Sequence, residues 1–292
     1  MPNAYASIAE VKAGMPDGIR TATTKYDALI LRLASEVSRA IDTWCNRQFY
    51  PSLATLYFNG TGGRDLWTPD LQAITSVSYS EDDGETYTAL TTADYLATVA
   101  GDMNHRASYN LLRVSRLSDT LSAWPGGQRS VKIVGIRGYV DDRDLAWEST
   151  GDTSEDNPLT SSATTMTVND ADALDVYGVL ARFSAGQLLR LESEYVETTL
   201  AIDTSANTLG IVRGRNSTTA AQHAQNTAID LWRAPEPIRR ACIIQVNRQM
   251  ERGFQGFGDS RATPEFGSVT YSRQWDPEAM ALMSPYRERV TA

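Results

Sequence analysis

The sequence predicts an α+β fold: a helical domain with a small antiparallel β portion, plus an inserted all-β domain. Three observations predict it. Apolar residues recur every three or four positions over 26–45 and again over 235–253, near the two ends of the chain. Between those stretches the period falls to two, in short runs separated by glycine-rich or Asp-Gly turns. Finally, "DDRDLAWESTGDTSEDNPLTSSATT", from residue 141, is acidic and rich in Ser and Thr and reads as a linker or exposed loop. It opens a segment with almost no helical periodicity. The domains read from this pattern are 1–150 with 234–292, discontinuous, and 151–233 inserted between them.

The elements follow in order. "SIAEVKAGM" reads as a short helix, with Ser7 as N-cap, Glu10 three residues on, and Gly14 and Pro16 as the stop. In "YDALILRLASEVSRAIDTWC", Tyr26, Leu29, Ile30, Leu33, Ala34, Val37, Ile41, Trp44 and Cys45 share one face of a helix about 30 Å long. Asp27, Arg32, Glu36, Arg39 and Asp42 take the other face. Cys45 falls on the apolar face at the last turn, where the helix dipole disfavours a thiolate, so it reads as a small buried hydrophobe.

Next come two predicted hairpins, "ATLYFNGTGGRDLWTP" around Gly62-Gly63 and "AITSVSYSEDDGETYTAL" around Asp83-Gly84, then strands in "YNLLRVS" and "RSVKIVGIRGYV". The insert supplies strand-like runs at "TMTV", "GQLLRLESEYVETTLAI", "TLGIVRGR" and "TAIDLW". In "PEPIRRACIIQVNRQMERG" two prolines start a helix, Gly253 is a natural stop, and Ile238, Cys242, Val246 and Met250 form a stripe. A strand-like "SVTYSRQW" and a short helical "PEAMALMSPYRER" close the chain.

Composition narrows the function. Of the 292 residues, 41% are hydrophobic and 22% charged, ordinary values for a folded protein. No apolar run approaches the roughly 20 residues needed to span a bilayer. The N-terminus lacks a basic start followed by an apolar stretch, so a cytoplasmic product is expected. The net charge of −9 argues against a dedicated nucleic-acid binder. It leaves room for a wall that faces DNA without holding it. The insert carries eleven acidic residues against five arginines, most of the excess. Arginine outnumbers lysine 24 to 3, which interface use and a GC-rich genome explain equally well.

Chemistry-bearing patterns are sparse. Cys45 and Cys242 lie far apart and form no paired pattern, so neither a disulfide framework nor a thiolate zinc site is supported. His105 and His223 lie in polar, loop-like sequence and read as surface histidines rather than metal ligands. Glu192, Glu194 and Glu197 cluster, as do Asp170, Asp172 and Asp175. A spacing of two puts Glu192 and Glu194 on one strand face, where solvated side chains are the plain explanation. Asp170-Ala-Asp172 lacks the glycine and terminal glutamate of a calcium loop. Neither a nucleophile elbow, a zinc-hydrolase signature nor a dinucleotide fingerprint occurs. The expectation is a protein that is not an enzyme, with no catalytic residues, metal or cofactor. Its C-terminal strand-like run can add to a neighbouring sheet edge, and Val269, Tyr271, Arg273, Trp275, Tyr286 and Arg287 are the candidate partner-binding residues.

"YASIAEVKAGM", "AIDTWCNRQFYP", "VKIVGIRGYV", "PEPIRRACIIQ" and the ending "TYSRQWDPEAMALMSPYRERV", in that order, resemble the head–tail connector (adaptor) proteins of long-tailed bacteriophages. The resemblance covers roughly residues 5–140 and 235–289 through short motifs. It implies that 1–150 and 234–292 form a connector domain with a C-terminal tail from about 254. It further implies a homo-oligomeric ring of twelve subunits in the virion neck, assembled in the host cytoplasm, with no membrane association. Its partners would be the portal protein and the tail-completion or tail-tube proteins, and DNA would pass through the channel without specific binding. The tail would reach the portal. The 151–233 segment departs from the family, and Arg213-Gly214 with His223 resembles the "RG…H" pattern of a β-module recurring in phage virion proteins.

Two rival readings stand beside this one. The first is a ligand- or glycan-binding protein acting through the β-insert, for which Tyr177, Phe183, Tyr195 and Trp232 are the aromatics at hand. The second is a hydrolase using the Glu192–Glu197 cluster.

Overall fold

A computed structural model describes residues 3–15, 24–100, 106–176, 178–254, 260–263, 267–270 and 275–288. It corrects the expected fold class. The chain is mostly β, with two antiparallel six-stranded sheets against four helices among the described residues, and no helical connector domain with a small β portion. Two long amphipathic helices give a strong local signal, whereas many short strands, several lined with polar residues, each give a weak one. The chain divides into two compact units: Arg47–Ala146 with Asn216–Thr218, and Met1–Asn46 with Trp147–Arg215 and Thr219–Ala292.

The unit built on Arg47–Ala146 holds β1 (Ser52–Gly60), β2 (Asp65–Tyr79), β3 (Thr88–Leu90), β4 (Tyr95–Thr98), β5 (Tyr109–Val114) and β6 (Gly127–Arg137). Their order is β1-β6-β2-β5-β4, with β3 paired to β2. The hairpin expected around Gly62-Gly63 therefore does not form, because β6 lies between β1 and β2, pairing Val131 with Phe58 and Ile133 with Val77. β6 is apolar enough to serve two neighbours. Its Gly135 is required there, since a Cβ would meet the Ala73 carbonyl oxygen at 2.3 Å. Asp83 and Gly84, at φ +55° and +90°, do turn the chain from β2 into β3. One face of the sheet buries Leu66, Leu112, Val114 and Ile133 around Trp124. On the other, Trp67 is 65% exposed beside the Asp65–Arg113 pair.

The second unit carries α1 (Ile8–Ala13), α2 (Asp27–Cys45), α3 (Glu236–Phe254) and α4 (Pro277–Met283). Its sheet comprises β7 (Trp147–Ser154), β8 (Thr165–Thr167), β9 (Leu188–Leu191), β10 (Glu194–Asp203), β11 (Thr208–Val212) and β12 (Thr227–Trp232), in the order β7-β12-β9-β10-β11-β8. Ser7 and Glu10 form the capping box that starts α1. The buried stripe of α2 is Ile30, Ala34, Val37, Ile41 and Cys45, while Leu29, Leu33 and Trp44 are only half-buried. Ser38 sits in that stripe, its hydroxyl donating to the Ala34 carbonyl at 2.6 Å.

Both cysteines are fully buried, and burial pushes the Cys242 thiol up to about 12. β7 occupies the stretch expected to be a linker. Its inward residues, Thr150, Asp152 and Ser154, are polar, so no apolar alternation announces it. The sheet buries a core that includes Met166, Leu189, Leu191, Val196, Leu209 and Ile229. After α3, β13 (Ser260–Thr263) and β14 (Gly267–Thr270) pair antiparallel with each other.

Candidate functional site

β9 and β10 are joined by Glu192 and Ser193, with Leu191 paired to Glu194 and Glu192 at φ +53°. The single strand read over 186–202 is thus two strands and a tight turn. Glu192 lies in the turn rather than on a strand face shared with Glu194. Glu194, the first residue of β10, is wholly buried. Its Oε1 accepts from Arg213 Nε at 2.7 Å and the Gly214 amide at 3.0 Å. Oε2 accepts from Arg213 Nη2 at 2.6 Å and the Ala221 amide at 2.9 Å, and lies 2.8 Å from His223 Nε2. Burial pushes the Glu194 carboxyl upward. The donors from Arg213, Ala221, His223 and Gly214 together overcome it and bring the value down to about 2.

The same groups tie down the segment after β11. Arg213 also donates to the carbonyls of Thr160 and Ala221, both at 2.5 Å. His223 is not a surface histidine: it is 1% exposed, its Nδ1 lies 2.9 Å from Glu192, and its backbone exchanges hydrogen bonds with Leu159. The polar letters around it hid this, because the residues that bury it come from distant strands. Arg213, Gly214 and His223 meet at Glu194, and nothing in the spacing pointed to Glu194 as their common acceptor. The arrangement is a clasp: a fixed carboxylate with its oxygens committed to donors that hold the chain from Arg213 to His223 against β10.

Three residues further along β10, Glu197 is buried against Arg215, whose Nε lies 2.7 Å away. Here burial outweighs the arginine and the carboxyl is raised. Of the three clustered aspartates, Asp170 and Asp172 stay together. Asp152, missed by the sequence reading, is buried and accepts from Arg182 and from the amides of Asn169 and Asp170. Asp172 is exposed and raised, first by its hydrogen bond to Asp170 and then by that neighbour's charge. Among the described residues, no group of three His, Cys, Asp or Glu is placed to hold a metal ion, and no helix is long and apolar enough to cross a membrane.

The candidate partner-binding residues are not brought together as one cluster by the described structure. Val269 lies in β14, paired with Arg261. Tyr271 and Arg273 lie outside the described residues, as do His105 and Tyr177. Trp275 and Tyr286 are half-buried on either side of α4, and the Arg287 guanidinium lies 5.5 Å from the centre of the Trp44 ring. The Glu288 amide donates to the Cys45 carbonyl at 2.8 Å, and Ala279 and Met283 are fully buried, so 275–288 packs within its own chain.

No family model matches the chain, and no curated protein matches it.

Proposed function

We propose that the chain is a virion structural protein that forms a connector ring of twelve copies between the capsid portal and the tail. DNA would pass through its central channel. The observation that carries this reading is the β13–β14 hairpin. Its strands pair with each other and with no other strand among the described residues. Two-stranded ribbons are marginal alone and become stable by adding to a third strand. Placed between α3 and α4, the hairpin suits an arm that reaches a neighbouring subunit or the portal. The net charge of −9 fits a wall past which a polyanion slides.

The clustered glutamates support an architectural role, since Glu194 and Glu197 are spent on internal arginines. The glycan-binding alternative wants exposed aromatics in the 151–233 segment, and Phe183, Tyr195 and Trp232 are all buried. Light scattering on the purified protein, alone and mixed with a portal ring, tests the proposal. A mass many times that of one chain, alone or with the portal, is expected. The Val269→Pro variant, which removes a backbone donor from β14, should assemble less. A monomer that ignores the portal would overturn the reading.

A further inference from the structure

Two exposed apolar surfaces stand out, one beside aspartates and the other beside arginines. The first is the tip of the connection between β8 and β9. Leu174, Val176 and Val179 are each more than half exposed, Val179 at 72%. The tip is held in shape by its own hydrogen bonds. Asp175 accepts from the Val179 amide at 3.0 Å, the Gly178 amide donates to the Asp175 carbonyl at 2.9 Å, and the Asp175 amide donates to Leu180 at 2.7 Å. Gly178, at φ +69°, permits the turn. The side chains of Leu174, Val176 and Val179, all displayed to water, make an aliphatic knob. Its base carries Asp170 and Asp172, whose mutual crowding raises Asp172 and would be relieved by an approaching cation.

The second surface is a hollow at the β4–β5 end of the other sheet, lined by Leu96, Leu117, Arg64, Arg113 and Arg116. Leu117 is 88% exposed and Leu96 nearly half. Trp67 stands on the same sheet face, since Asp65 and Leu96 both pair with Arg113 and Trp67 pairs with Leu111. Arginine and tryptophan are among the residue types enriched at interface hot spots, and here they stand beside two exposed leucines. Arg113 is engaged by Asp65, while Arg116 is exposed and makes no ion pair among the described residues.

We infer that the knob of Leu174, Val176 and Val179 of one copy seats in the hollow at Leu96 and Leu117 of a second copy, with Asp170 and Asp172 facing Arg116. Both surfaces expose aliphatic side chains, and the residues beside them carry opposite charge. Because knob and hollow are different surfaces, the contact is heterologous: it propagates head to tail and ends only when a ring closes. The inference rests on the ring assembly proposed above and names the contact that builds it.

Disulfide trapping tests it cleanly, because Cys45 and Cys242 are both buried and leave a silent background. Val179→Cys and Leu117→Cys on one chain should yield, under mild oxidation, a ladder of cross-linked species. The two single variants mixed should yield a heterodimer and no ladder. Val176→Asp with Val179→Asp, both at exposed positions, should leave the circular dichroism unchanged and reduce the assembled mass to that of one chain. If the wild type assembles, alone or with a portal ring, but the Val179–Leu117 cross-link fails and the double aspartate variant assembles equally well, this contact is wrong and the ring reading stands. If the wild type remains monomeric even with the portal, both fall.

Discussion

Glu194 and Glu197 sit three residues apart on β10, both buried and both paired to an arginine at about the same distance, yet their carboxyls move in opposite directions. At Glu194 the value falls to about 2; at Glu197 it rises. Burial acts the same way on each. The difference lies in the donors: Glu194 has Arg213, two backbone amides and His223, whereas Glu197 relies on Arg215. At Glu197 a single guanidinium does not offset the desolvation of a buried carboxylate, whereas at Glu194 a guanidinium joined by two amides and a histidine does. One end of the strand is thus a clasp that organises the loop after β11. Glu197, three residues further on, forms an ion pair in which burial outweighs the arginine.

The largest expected effect breaks the clasp. Arg213→Ala strands a buried carboxylate and should cost about 3–5 kcal/mol in urea unfolding followed by circular dichroism. Arg215→Ala leaves a glutamate already biased toward its neutral form and should cost under about 2 kcal/mol. Equal losses would erase the comparison.

pH sharpens the comparison with opposite signs. Glu194 has a lowered value in the fold, so its stabilisation is complete above the unfolded value of 4.5 and drains away as pH falls toward about 2. That amounts to about 3 kcal/mol. Glu197, raised, favours the fold in its protonated form, so its contribution is present at low pH and lost as pH rises through the raised value. Urea midpoints at pH 3 and pH 6 should converge in Glu194→Gln, and an unchanged gap would show the clasp does not titrate as described. Glu197→Gln should be nearly neutral at pH 6, within about 1 kcal/mol. Smallest of all, Glu192→Ala removes an exposed carboxylate from His223 and should cost less than about 1 kcal/mol in the same assay.

What the sequence disclosed follows from which signals are local. The capping box at Ser7 and Glu10, the helix ending at Cys45 and the turn at Asp83-Gly84 each depend on residues within a few positions, and each is where the spacing puts it. The dominance of β structure was not legible. β7 faces inward with Thr150, Asp152 and Ser154, and β6 reaches between β1 and β2 from some seventy residues away. Nor was the clasp, whose residues span 160 to 223 and meet only once the sheet forms. Glu194 and His223 look like surface residues in any window short enough to read. The exposed valines at 176 and 179 were visible as letters, but their exposure depends on the turn that Asp175 closes.

Negative-stain electron microscopy of the purified protein, alone and mixed with a portal ring, shows whether the chain assembles into a ring. Rings with an open centre, stacked on the portal when it is present, are expected for the wild type and not for the Val176→Asp, Val179→Asp variant. Fields of single, unassembled particles from the wild type under both conditions would contradict ring assembly.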